Sequence, residues 1–234
     1  MTDESRTNPD DLPRIFYEGG SWLIWTVDEL EVLYKTAKII GSATMTAPHF
    51  PRQSAELALP IEIMPCEAKW CFENHFCILV TAKFTIDLTT IPLIQLPQKY
   101  NSEIKIDDSS EYEIEPVDPP QIDPLLYKTY TNLKNKNYWI SNGINFGCNF
   151  MVYQSEPWKC HSFALVWCES EIFDTRKLIQ HVRIAESTKK SAIASFLLPD
   201  GSIKFLEFSR FKTQADDADD ELVSDEDNDD INIV

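Results

Sequence analysis

The sequence predicts a mixed α/β (α+β) protein: a small N-terminal mixed domain, then a C-terminal domain with a mixed β-sheet and flanking helices. Three observations predict this. Short apolar runs with strand-like alternation are interleaved with segments of helical periodicity. Hydrophobic residues make up 43% and aromatic residues 12% of the 234 positions, ample for packed cores. A segment rich in acids and proline separates two apolar stretches.

Residues 14–100 are read as the N-terminal domain. Ser21-Trp22-Leu23-Ile24-Trp25 is a short apolar strand. Thr26 or Asp28 can cap the following helix, in which Leu30, Leu33, Tyr34 and Ala37 repeat at helical spacing. Residues 60–64 alternate like a strand. Pro65 suits the first turn of a helix reaching about Phe76, with Glu67 near its positive end. Cys77–Val80 returns to strand. Residues 101–123 carry acids, paired serines and prolines, cannot hold a continuous helix and read as a linker.

From Pro124 the second domain runs to residue 213. Asp123–Asn137 reads as a helix with Leu125, Leu126, Tyr130 and Leu133 on one side. Asn142-Gly143 marks a tight turn between apolar segments. Phe150–Tyr153 and Phe163–Trp167 are β-rich, 174–185 is helical, Ser191–Leu197 is a strand, and Ile203–Phe211 is the final strand. The tail over 214–234 is acidic and poor in apolar residues, a composition expected to stay disordered.

The charge of −17 is unevenly spread. Residues 215–234 hold ten acids and no base, whereas 124–213 hold twelve Lys or Arg against seven acids. The second domain is therefore the basic part, as contact with phosphates requires. No apolar run reaches the ~18 residues of a membrane helix, so no membrane partner is expected. The polar start lacks a basic and apolar export signal. The six cysteines accordingly read as reduced core thiols of an intracellular protein. Cys66, Cys71, His75 and Cys77 lack a CxxC pair and are not read as a zinc site. Cys160 and His161 are strand neighbours pointing to opposite faces, which argues against a thiol nucleophile. No cofactor is expected.

The stretch 142–161, NGINFGCNFMVYQSEPWKCH, holds the chemistry. Tyr153 closes one β segment, and His161 opens the next after a tight connection through Gln154-Ser155-Glu156-Pro157. Downstream, a helix-like segment ends on Lys189 and Lys190. A hydroxyl, an imidazole and an ammonium suffice to cut RNA without a metal, with the adjacent 2′-hydroxyl as nucleophile. An imidazole with a pKa of about 6.5 suits acid or base work. A phenol near pKa 10 acts as base only beside a cation that lowers it, a role Lys190 could fill.

The strings NFGCNFMVYQSEPWKCHSFALV and VRIAESTKKSAIASF resemble the catalytic core of the tRNA-splicing endonuclease family. The resemblance implies a tRNA-intron-endonuclease-like catalytic domain. Tyr153, His161 and Lys190 match the family triad, with Tyr usually assigned as general base, His as general acid and Lys as charge stabiliser. Lys189 would be an auxiliary phosphate contact. Arg183 and Arg210 match a pair that sandwiches a bulged base and serves the partner subunit's site. Two departures stand out. Cys148-Asn149 replaces the family's Gly-Asp, and Ser155-Glu156-Pro157 replaces Gly-Asp-Pro.

The front half, WLIWTVDELEVL and PRQSAELALPIEIMPCEAKWC, resembles the catalytic subunit for the 3′ splice site, with Cys66 where that subunit has the first Glu of its helix. The resemblance implies cleavage of precursor tRNA to 2′,3′-cyclic phosphate and 5′-hydroxyl ends. It also implies a nuclear heterotetramer with a second catalytic subunit and two structural subunits. The final strand is a plausible edge for pairing with a structural partner. Two rival readings are a non-catalytic scaffold subunit of the same complex and an acidic interaction protein whose tail is the working part.

Overall fold

A computed structural model describes residues 12–43, 59–84, 112–169 and 174–210. The Pro-Arg-Gln run at 51–53, the first part of the predicted linker and the acidic tail lie outside them. The predicted fold class holds: the described residues form two mixed sheets with four α-helices.

β1 (Arg14–Glu18) and β2 (Ser21–Ile24) make a hairpin across Gly19-Gly20. Both glycines have positive φ, +58° and +92°, which this tight turn demands and which costs glycine no Cβ strain. α1 (Val27–Ala37) starts at Thr26, whose hydroxyl accepts the Glu29 amide at 3.3 Å. β3 (Ser42–Ala43), β4 (Ile61–Ile63), α2 (Pro65–Glu73), β5 (Ile78–Phe84) and β6 (Tyr112–Pro116) complete the first unit. Its sheet order is β3-β4-β2-β1-β5-β6, with only β1 and β5 parallel. Ile15, Ile24, Leu33, Ile39, Ile61 and Leu79 form its core.

β6 lies inside the stretch that reads as linker. Its alternation of Tyr112 and Ile114 with Glu113 and Glu115 suits an edge strand, and Pro116 stands at its end, where a missing N–H is tolerated. The surrounding acids and prolines hide that pattern in the sequence.

In the second unit α3 (Pro124–Asn135) is capped by Asp123, which accepts the Leu126 amide at 3.1 Å. β7 (Trp139–Asn142), β8 (Phe150–Tyr153), β9 (Ala164–Cys168), α4 (Thr175–Ser187), β10 (Ser191–Leu197) and β11 (Ile203–Phe208) follow. The sheet order is β11-β10-β9-β8-β7, with β9 and β10 parallel across α4 and the other neighbours antiparallel. α3 covers one face through Tyr130 and Leu133 against Ile140, Phe150, Val152 and Val166. α4 covers the other through Ala185 against Leu165, Trp167 and Ala192.

The turn expected at Asn142-Gly143 is wider than a two-residue hairpin and contains a 3-10 turn, Ile144–Phe146. The Gly143 carbonyl accepts from both Phe146 (2.9 Å) and Cys148 (3.1 Å), folding the loop back on itself. A Cβ at Gly143 would lie 2.2 Å from Cys148 Sγ, so glycine is required here for close approach rather than for turn dihedrals.

The two units meet where the C-terminal ends of α1 and α3 exchange lysines. Lys134 donates to the carbonyls of Ala37 (2.6 Å) and Lys38 (3.1 Å). Lys38 donates to the Asn137 carbonyl (2.9 Å) and side chain (2.6 Å). Each cation thus satisfies carbonyls left open at the other helix end and meets its partial negative charge. Lys134 is buried, with its ammonium 4.9 Å from the Trp70 ring centre. Cys66 and Trp70 of α2 pack into the second unit's core. That burial explains an apolar thiol where a glutamate was expected.

Candidate active site

Strand register brings the predicted residues to one end of the second sheet. Val152 pairs with Ala164, and Ala164 pairs with Ser191, so the end of β8 and the starts of β9 and β10 coincide. Tyr153 is the last residue of β8, His161 stands three residues before β9, and Lys190 immediately precedes β10. The Phe163 amide donates to Val152 O (3.0 Å), and the Ser191 amide donates to Phe163 O (2.9 Å). Those bonds tie the three chain segments together. β11 runs antiparallel to β10 with Phe208 opposite Ala192, so Arg210 emerges at the same end. Arg183 lies near the C-terminal end of α4 and is exposed.

Tyr153 is buried, with its hydroxyl 3.3 Å from Ser141 Oγ. Burial pushes its phenol above the ordinary value, while the Ser141 hydrogen bond pulls the other way. His161 is exposed. Lys190 is half-buried; its amide donates to Ala185 O (2.8 Å) and its ammonium to Thr188 O (3.2 Å). Lys189, at φ +54°, takes the left-handed conformation that closes α4 and turns the chain into β10. Its side chain is exposed.

The two departures from the family pattern both have structural explanations. Asn149 Oδ1 accepts the Cys168 amide at 2.8 Å, a role that needs an acceptor oxygen and no charge. Glu156 pairs with Lys159 at 2.7 Å, and its carbonyl accepts the amides of Lys159 (2.8 Å) and Cys160 (3.2 Å). The Cys160 thiol turns back toward the carbonyls of Ser155 (3.5 Å) and Glu156 (3.7 Å). Cys66, Cys71 and Cys77 are buried, and His75 is exposed. No group of three metal-ligating side chains occurs among the described residues.

Sequence reasoning missed an aromatic column beside this site. Tyr34 of α1 stacks on Trp158 (centroids 4.6 Å, planes 23° apart) and leans on Trp139 (4.7 Å). Trp139 is the cross-strand partner of Tyr153. One signal was available: Trp158 is the single large apolar residue in the polar loop between Tyr153 and His161.

The TSEN34-like N-terminal domain profile matches residues 13–82, and the tRNA intron endonuclease catalytic C-terminal domain profile matches residues 124–205. Together they cover more than half of the chain. The chain belongs to the tRNA-splicing endonuclease family. Similar proteins include the tRNA-splicing endonuclease of Sulfurisphaera tokodaii, 30% identical over 38% of this chain and 51% of that protein. The tRNA-splicing endonuclease of Sulfolobus acidocaldarius is 28% identical over 46% of this chain and 60% of its own length. The chain thus spans about half of these two relatives. A probable tRNA-splicing endonuclease subunit sen34 of Schizosaccharomyces pombe is 22% identical over 65% of this chain and 75% of its own. That match and the front-domain profile are both of the Sen34 type.

Proposed function

We propose that this chain is the catalytic subunit of a tRNA-splicing endonuclease that cuts precursor tRNA at the 3′ splice site. The observation that supports the reading is the register of β8, β9 and β10, which leaves the chain segments carrying Tyr153, His161 and Lys190 at one end of one sheet. The 2′-hydroxyl attacks the adjacent phosphorus, the bond to the 5′-oxygen breaks, and the products are a 2′,3′-cyclic phosphate and a 5′-hydroxyl. One group takes the 2′ proton, a second returns a proton to the 5′-oxygen, and Lys190 offsets charge on the phosphorane. Tyr153, whose phenol is raised by burial, holds its proton in the free protein. It becomes a base only when a cation such as Lys190 approaches; otherwise His161 takes the 2′ proton. This route uses no metal or organic cofactor.

Arg183 and Arg210 would clamp a bulged base for the partner's site, and Lys189 would hold a neighbouring phosphate. The partners in this reading are a second catalytic subunit and two structural subunits, assembled in the nucleus. The test is cleavage by the reconstituted four-subunit complex carrying His161→Ala, with each junction scored separately. Selective loss at the 3′ junction is expected. Loss at the 5′ junction alone reverses the subunit assignment, and unchanged cutting at both junctions reduces the chain to a scaffold.

A further inference from the structure

We infer that the open face of Trp158 is a stacking platform for an unpaired nucleobase beside the scissile phosphate, a site that rests on the RNA-cleaving reading above. Trp158 is 59% exposed and is the one large aromatic side chain in the loop between Tyr153 and His161. The ring is nevertheless held. Tyr34 stacks on one face, and Trp139 meets it at 60° with centroids 6.4 Å apart. The loop beneath is pinned by the Glu156–Lys159 pair and by the amides of Lys159 and Cys160 on Glu156 O. A ring fixed on one side and open on the other binds a flat partner at little entropic cost.

Its position is as telling as its exposure. Trp139 and Tyr153 face each other across β7 and β8, so their side chains lie on the same face of the sheet. Trp158, in contact with Trp139, therefore stands on the Tyr153 side. It is also three residues before His161, within about 10 Å of chain.

The surroundings favour a base over a protein. Gln154, Ser155, Lys159 and His161, which flank Trp158 in the chain, are exposed and polar, whereas the centre of a stable protein interface is apolar. The Lys38 ammonium sits 5.7 Å from the Trp139 ring centre in the same column. Aromatic faces flanked by cations are how single strands are held without reading base edges, so the platform would accept any base.

The experiment uses the reconstituted complex and a precursor tRNA carrying 2-aminopurine next to the 3′ scissile phosphate. A 2′-deoxy substitution at the attacking position blocks cleavage. Wild type and Trp158→Phe should quench the fluorophore; Trp158→Ala and Trp158→Leu, which keep no aromatic face, should not. On cleavable RNA the Ala and Leu variants should raise KM about tenfold or more with little change in kcat. Quenching by the Leu variant equal to wild type overturns the inference. So does failure of both the Ala and Leu variants to join the complex, which would give the ring to a protein contact. A wild-type complex that binds the RNA by anisotropy without quenching defeats this inference alone. A wild-type complex that does not bind the RNA defeats the underlying reading.

Discussion

Replacing Glu67 with glutamine should remove a fall in stability as pH rises through the weakly acidic range. Glu67 is 1% exposed. One carboxylate oxygen accepts the Met64 amide at 2.8 Å and caps α2. The other meets no hydrogen-bond partner among the described residues. Burial is the largest influence and raises its pKa from 4.5 to about 7, with the Met64 amide and then the Lys134 ammonium opposing it. Between those values the folded protein holds a proton that the unfolded chain has released. The stabilising contribution is therefore complete below about 4.5 and is lost as pH rises toward 7. The slope is about 1.4 kcal/mol per pH unit, or about 3 kcal/mol over the whole window. Lys134 acts in a separate window. Burial lowers its ammonium from 10.5 to about 8, so its contribution rises with pH only above that. Glutamine keeps the capping oxygen and cannot ionise. Urea unfolding of the full chain at pH 5, 6 and 7, at fixed ionic strength, should show wild type losing about 2–3 kcal/mol relative to the variant. Other acids titrate in both proteins and cancel in the difference. A difference that stays constant across the three pH values would refute the burial argument.

Tyr130→Phe should be at least as stable as wild type by thermal unfolding. The ring is fully buried while its hydroxyl has no partner among the described residues, so the change removes an unsatisfied group and leaves no cavity. Gly41→Ala should cost about 2 kcal/mol or more in urea unfolding. Its φ is +63°, and a Cβ there would lie 2.3 Å from Ile61 Cγ2 and 3.0 Å from Glu62 O. Tyr153→Phe should abolish most cleavage while changing stability by less than about 1 kcal/mol, because the hydroxyl makes one long bond to Ser141. Matched loss of stability and activity would make Tyr153 a structural residue.

Legibility in the sequence followed the range of the interactions. α1, α3 and α4 were readable because their caps and apolar faces are local. Thr26 or Asp28 was open as the α1 cap, and the Glu29 amide on Thr26 decides it. β6 was missed because its pairing with β5 is between strands 28 residues apart at their nearest ends, a contact no local pattern encodes. β7 was missed because it follows α3 closely and its Trp139 faces another unit. Lys134 reads in the sequence as one more positive charge of the basic half. Buried against the α1 carbonyls, it is unavailable to phosphates. The candidate triad was visible as residue types and order, yet the coincidence of three strand ends depends on registers fixed by tertiary pairing.

Every candidate catalytic residue lies in the second unit, but what holds them does not. Tyr34 supports Trp158 in the loop that leads to His161, and it also supports Trp139, the neighbour of Tyr153. Burial and the Glu156 carboxylate keep the Tyr34 phenol protonated, so its ring stays a neutral stacking surface across the physiological range. Lys38 reaches from the same helix end to Asn137, two residues before the strand that begins at Trp139. The first unit therefore supports the catalytic end at the two places where its loop and its edge strand would otherwise be open to solvent. Because that support comes from one helix, α1, a change in its docking moves Trp158 and Trp139 together. The N-terminal half is in that sense part of the candidate active site.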